Sequence, residues 1–329
     1  MLPKGAYPGF PWMAGPRPLR SSRFGALDMP PETIVKSILD MISYHAVYDA
    51  SIVDALRYAH ANGFAGVQAA VELPHLSFEN TGAAERATIA EFRTAAGLNL
   101  SLHAPDNATS LYTAGRTLAE GIFAYFRAMF DFAADVGSHL ITFHMGAPPG
   151  FATAESPPRL LPGVGQRQYA EALRHNLRRL IDLAAGRMIL CIESVGLPEP
   201  AREALGPHLE IGELALCWDL AKTCRDDGLQ QWLRANVGSV RQVHLHDLRN
   251  GRSHRIVGAG TLDFTGVLPL LAGEDVLDWC IEVRPREKAT ESLAALKQIL
   301  RRASANPSQQ AEPASLPADL IRVRRSTGS

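Results

Sequence analysis

Short apolar runs alternate with longer stretches of helical period along most of this chain, and that alternation limits its fold more than any other feature. It argues for repeated strand–helix units on a parallel sheet. The strand candidates are SILDMISYH (37–45), GVQAAVELP (66–74), NLSLHAP (99–105), HLITFHMG (139–146), MILCIESV (188–195), LALCWDLA (214–221), VRQVHLHDL (240–248) and DWCIEVRP (278–285). The clearest helix spans 115–136, where Leu118, Ile122, Phe126, Met129 and Phe132 recur at three- to four-residue steps. At about 33 residues per unit, the expected fold is α/β: a single eight-stranded parallel β/α (TIM) barrel. The rival, an open doubly wound sheet, would carry a Gly-rich phosphate loop after an early strand. No such loop is there, and GAGTLDF (258–264) follows the seventh run instead.

The barrel is expected to occupy residues 36–303. Before it, residues 1–35 are dense in Pro and Gly and read as an arm; after it, the Ser-, Pro- and Gln-rich stretch 304–329 reads as a flexible tail. Net charge is −1, from 33 Lys plus Arg against 34 Asp plus Glu, so no global field gathers nucleic acid or an anionic membrane. No apolar run is long enough to span a bilayer and no signal peptide stands at the start, so a cytoplasmic location is expected. The four Cys are read as reduced. A homo-oligomer is compatible with the sequence.

Six of the runs carry a His, Asp or Glu near the C-terminal end: His103, His144, Glu193, Asp219, His244 and Glu282. In a parallel barrel those ends meet at one mouth. A buried ring of two Glu, one Asp and three His needs positive charge at its centre, and a divalent metal ion is the simplest source. Cys191, Cys217 and Cys280 stand two residues before Glu193, Asp219 and Glu282, and Gln242 two before His244. Period-2 alternation puts these four on the same face one layer lower, as a close-packed floor. Thiolate zinc ligands are the weaker alternative, because that layer lies about 6 to 7 Å below the carboxylates. His45, His60, His75, His139, His175 and His208 read as ordinary hydrogen-bonded histidines, and Glu72 is left open.

The ordered series HAP, FHMG, IES, WDLAK, VHLHD, SHRIVGAGTLDF and IEVRP resembles the xylose-isomerase-like barrel superfamily, which also contains the endonuclease IV branch. The resemblance covers about 37–303. It implies one metal held by Glu193, Asp219, His244 and Glu282. It also implies, in the nuclease branch, a second metal on His103, His144 and Glu193. A third nuclease metal would need a His at Lys222 and an Asp at Arg252, leaving His254 alone, and two cations there would repel an ion. A three-zinc nuclease, and nucleic acid as a partner, are therefore not expected. Lys222, Arg252, Arg255 and Arg284 could instead meet an anionic substrate group.

Two chemistries follow. In a sugar or sugar phosphate isomerase or epimerase, Glu193 and Glu282 would exchange a proton as base and acid while Mn²⁺, Mg²⁺ or Co²⁺ stabilises an enediolate. His103, His144, Lys222, His246, His254 and Arg284 would then contact substrate. In a two-metal phosphodiester hydrolase, possibly acting on a small molecule such as a cobamide, two Zn²⁺ would share Glu193. The first is preferred on its frequency among similar proteins. A barrel that only binds a ligand is the third and weakest reading.

Overall fold

A computed structural model describes residues 38–305, apart from 107, 148–149, 155, 161–163, 265–266, 269–270 and 272–274. The arm expected at 1–35 and all but the first two residues of the tail lie outside the described residues; the last helix, Arg286–Ala305, continues just past the expected barrel end.

Eight parallel strands close into a barrel: β1 (Ile42–Ala46), β2 (Gly66–Ala70), β3 (Asn99–His103), β4 (Leu140–Phe143), β7 (Ile189–Glu193), β8 (Ala215–Asp219), β9 (Val240–Leu245) and β12 (Asp278–Ile281). Each expected run supplies one of them. The runs overshoot the paired residues, however, because period and propensity do not mark where pairing stops. Residues 38–39 are helical, and the second run leaves the sheet after Ala70.

Two antiparallel hairpins interrupt the strand–helix rhythm. One is β5 (Gly150–Thr153) with β6 (Ser156–Leu160); the other is β10 (Asp247–Arg249) with β11 (Arg252–Arg255). The second turns on Asn250 and Gly251, at φ 53° and 73°, where a right-twisting two-residue hairpin requires left-handed backbone.

Outward strand residues such as Tyr44, Leu102, Ile141, Ile192, Trp218, Val243 and Ile281 pack with the helices into one core. In the helix Arg116–Val136 the buried stripe is Ala119, Ile122, Phe123, Phe126, Met129, Phe130, Phe132 and Ala133. Leu118 is the exception to the expected stripe: it is 64% exposed, lying one step, about 100°, away from Ala119 around the helix.

Beneath the mouth, the floor is a hydrogen-bonded layer as well as a close-packed one. Asp278 accepts from Ser43, from Ser101 at 2.8 Å and from Gln242 at 2.6 Å, and Gln242 accepts from Gln68 at 3.1 Å and from Thr142. Cys191, Cys217 and Cys280 are buried free thiols in this region, and burial pushes all three up from the usual thiol range. Among the described residues no helix is long and apolar enough to cross a membrane.

Candidate metal centre

Strand ends build the site. Glu193 and Asp219 close β7 and β8, His244 is the penultimate residue of β9, and Glu282 follows β12 directly. Register sets Asp219 beside His244, and His244 beside Cys280, two residues short of Glu282. All four are buried, at 0 to 3% exposure. Nδ1 of His244 lies 3.6 Å from Glu193 Oε2 and 3.6 Å from Glu282 Oε2, and Glu193, Asp219 and His244 can each turn a ligand atom to one point.

Two further imidazoles meet the same oxygen of Glu193. Nε2 of His103 is 3.1 Å and Nε2 of His144 is 2.8 Å from its Oε2, and Oδ1 of Asp106 stands 3.6 and 3.7 Å from the two imidazoles. Nδ1 of His103 donates to the carbonyl of Ala104 at 2.8 Å, the bond that typically fixes a metal-binding imidazole with its other nitrogen free for the ion.

Burial alone would raise Glu193, Glu282 and Asp219, but the surrounding histidines and Lys222 outweigh it and hold all three below the usual carboxylate range. These acids are ionised at neutral pH, as ligands or proton acceptors must be.

The residues present fit a divalent ion. Both ring nitrogens of His244 and Oε2 of Glu282 are buried without a hydrogen-bond partner, which costs about 1–3 kcal/mol per group unless something serves them. No potential ligand group among the described residues includes a cysteine.

Of the residues expected to meet substrate, His103, His144, Lys222 and Arg284 line the cavity above the ring, while His246 is buried. Lys222 does not stand at the rim; its Nζ is lodged in the ring, 3.1 Å from Glu193 Oε1, 3.2 Å from Asp219 Oδ2 and 3.6 Å from Glu282 Oε2. Burial would lower this ammonium, but the three carboxylates more than compensate and raise it. Asp219 caps the single turn Leu220–Thr223, its Oδ1 accepting the N–H of Lys222 at 2.8 Å, which ties the backbone of Lys222 to the ring.

His246 is fully buried behind the ring, with Nε2 on Asp219 Oδ2 at 3.1 Å and Nδ1 accepting the N–H of His254 at 3.0 Å. His254 stacks on it with centroids 4.4 Å apart, and its Nδ1 meets the carbonyl of Glu282 at 3.0 Å. Arg284 donates to Glu282 Oε1 at 2.8 Å and to Nδ1 of His45 at 2.7 Å. Arg252 and Arg255 are exposed on β11.

A cavity opens above the ring, lined by His45, Val47, Ala70, Glu72, Leu73, His103, Asp106, His144, Lys222, Glu282 and Arg284. Sequence reasoning misses three of these or leaves them open. His45 reads as an ordinary histidine and Glu72 as either, although both end barrel runs as the ring residues do; Asp106 sits in a loop and gives no periodic signal.

Fold and site together define an eight-stranded β/α barrel with a carboxylate–histidine ring at the C-terminal ends of its strands. The chain belongs to the xylose isomerase-like TIM barrel family, matched over residues 56–299. None of the curated proteins matches the sequence. Among solved structures, the 3-keto-D-glucoside 4-epimerase of E. coli superposes with a TM-score of 0.61 at 17% identity, over 78% of this chain and 99% of that one. The TTHB071 protein of Thermus thermophilus, soaked with ZnCl2, gives 0.58 at 23% identity, over 79% and 98%. Endonuclease IV of the same organism gives 0.56 at 20% identity, over 80% and 99%. These likenesses share the barrel; both the epimerase and the nuclease are enzymes.

Proposed function

We propose that this protein is a divalent-metal-dependent isomerase or epimerase of a sugar or sugar phosphate. The observation that carries the reading is the pair of ionised acids, Glu193 and Glu282, both 3.6 Å from the unpartnered Nδ1 of His244, with Glu282 lining the cavity and Glu193 buried beside it against the cavity residues His103, His144 and Lys222. Glu193, Asp219, His244 and Glu282 would hold the ion, with His246 fixing Asp219. The ion would supply positive charge to oxygens that become negative as a proton leaves the adjacent carbon. Glu193 and Glu282 then have the arrangement to take that proton from one side and return it from the other. Arg284 and His45 border Glu282, while His103, His144 and Lys222 reach the cavity and can orient hydroxyls or an anionic group.

A specific observation keeps the second reading alive. His103, His144 and Glu193 form their own ligand group, with Asp106 beside it, as a two-zinc phosphodiester hydrolase needs. One experiment separates the two. The protein is loaded with Mn²⁺ or Zn²⁺, incubated with ketohexoses and their phosphates in D₂O, and in parallel with bis(p-nitrophenyl) phosphate. Deuterium entering next to the carbonyl, with one ion per chain, supports proton transfer; phosphodiester cleavage with two zinc ions per chain and no exchange overturns it.

A further inference from the structure

We infer that Lys222 and a divalent cation compete for one seat in the ring, so that the metal-free protein is held together by its own ammonium. This rests on the cation-site reading above and extends it to how the site is filled. Nζ of Lys222 contacts three of the four side chains assigned to the ion, at 3.1 to 3.6 Å. The ammonium hydrogen-bonds Glu193 but stands 3.6 Å from Glu282 Oε2, which keeps no hydrogen-bond partner, and it offers nothing to His244, the fourth, whose nitrogens have none either. A divalent ion takes four or more donors and would serve all four.

Both cations cannot use the same oxygens. At these separations each oxygen shell is filled by whichever cation is present, and an ammonium beside a divalent ion is repelled strongly in a buried site. The backbone of residue 222 is tied to the ring through Asp219, whereas its side chain is 24% exposed and borders the cavity. The ammonium therefore has a way out that leaves the fold intact.

The test titrates the metal-stripped full chain with MnCl2 calorimetrically and follows its melting in EDTA and in Mn²⁺. Lys222→Gln is expected to bind Mn²⁺ on the order of tenfold more tightly than wild type, to melt lower in EDTA and to gain more from Mn²⁺. Lys222→Arg keeps the competing charge and binds no tighter than wild type. Equal Mn²⁺ affinity in wild type and Lys222→Gln overturns the competition but leaves the cation site standing; no Mn²⁺ binding by either protein overturns the site and the competition together. Wild type alone gives a second readout. Acetylation of Lys222 by acetic anhydride, read by mass spectrometry, should rise when saturating Mn²⁺ is added, and protection unchanged by bound Mn²⁺ contradicts the inference.

Discussion

His244 and His246 stand two residues apart on one run, and their neighbours give them opposite work. His244 has two unpartnered nitrogens. The Nδ1 of His246 accepts a backbone N–H, which leaves its Nε2–H to donate to Asp219. Period alone puts both near the mouth; the resemblance gives His244 to a metal and His246 to substrate, and the N–H that turns His246 toward Asp219 comes from His254 on a hairpin that no periodic signal announces. His246→Phe should weaken Mn²⁺ binding by about 10- to 100-fold, the usual cost of losing a residue that orients a ligand, and His246→Gln should recover part of it; calorimetric titration reads both, and unchanged affinity in His246→Phe removes the positioning role. His144→Ala should leave one ion per chain and raise KM if the histidine faces substrate. A drop from two ions to one, measured by inductively coupled plasma mass spectrometry, would favour the hydrolase. His45 is the missed residue most open to detection, since it ends the first run as the ring residues end theirs. Burial lowers it to about 3, and because a guanidinium can only donate, Arg284 fixes its Nδ1 as acceptor.

At the level of elements, the GAGTLDF segment shows how a motif can be visible and its purpose hidden. It cradles no external anion. Its N–H groups at Gly258, Gly260 and Leu262 wrap the carboxylate of Asp247 at 2.8 to 3.0 Å, which anchors the loop after β9. A Cβ at Gly260 would collide with Asp247 and with the carbonyl of Leu248, so Gly260→Ala should cost about 1–3 kcal/mol. Gly121, in a helix with open space around it, gives the contrast: Gly121→Ala should stabilise by roughly 0.5–1 kcal/mol. Denaturant titration checks both. The Asn250-Gly251 turn is legible as a hairpin signal, but the strand–helix rhythm around it masks it.

Asp278 belongs to the same scale. It is buried among hydroxyls and amides, and burial outweighs those hydrogen bonds and raises its carboxyl. A carboxyl raised by folding favours the folded state below its unfolded value, about 3.9, and loses that contribution as pH rises through the folded value. Asp278→Asn keeps the size and can still accept from Gln242 while donating to Ser43. Its stability relative to wild type should be lowest below about pH 4 and rise as pH climbs through the raised value, by urea unfolding at each pH. A relative stability of Asp278→Asn that falls over the same range would mean that the ionised carboxylate is needed.

Across the whole molecule, eight strands, their order and their converging ends are readable because burial on both faces writes each barrel strand as a short apolar run, and a polar residue at its end breaks the pattern visibly. Strand limits, the hairpins and the seat of Lys222 are not, since each depends on partners far away in sequence or on a single helical turn. That Asp219 and Lys222 are three residues apart is on view; that the ammonium points inward depends on carboxylates brought together from three separate strand ends. Every functional proposal here requires that Glu193, Asp219, His244 and Glu282 hold one divalent cation. Anomalous diffraction from a crystal soaked in MnCl2 decides the matter: a manganese peak is expected within coordination distance of all four side chains, with Lys222 withdrawn, and a map with no peak there while Lys222 still bridges the carboxylates would contradict it.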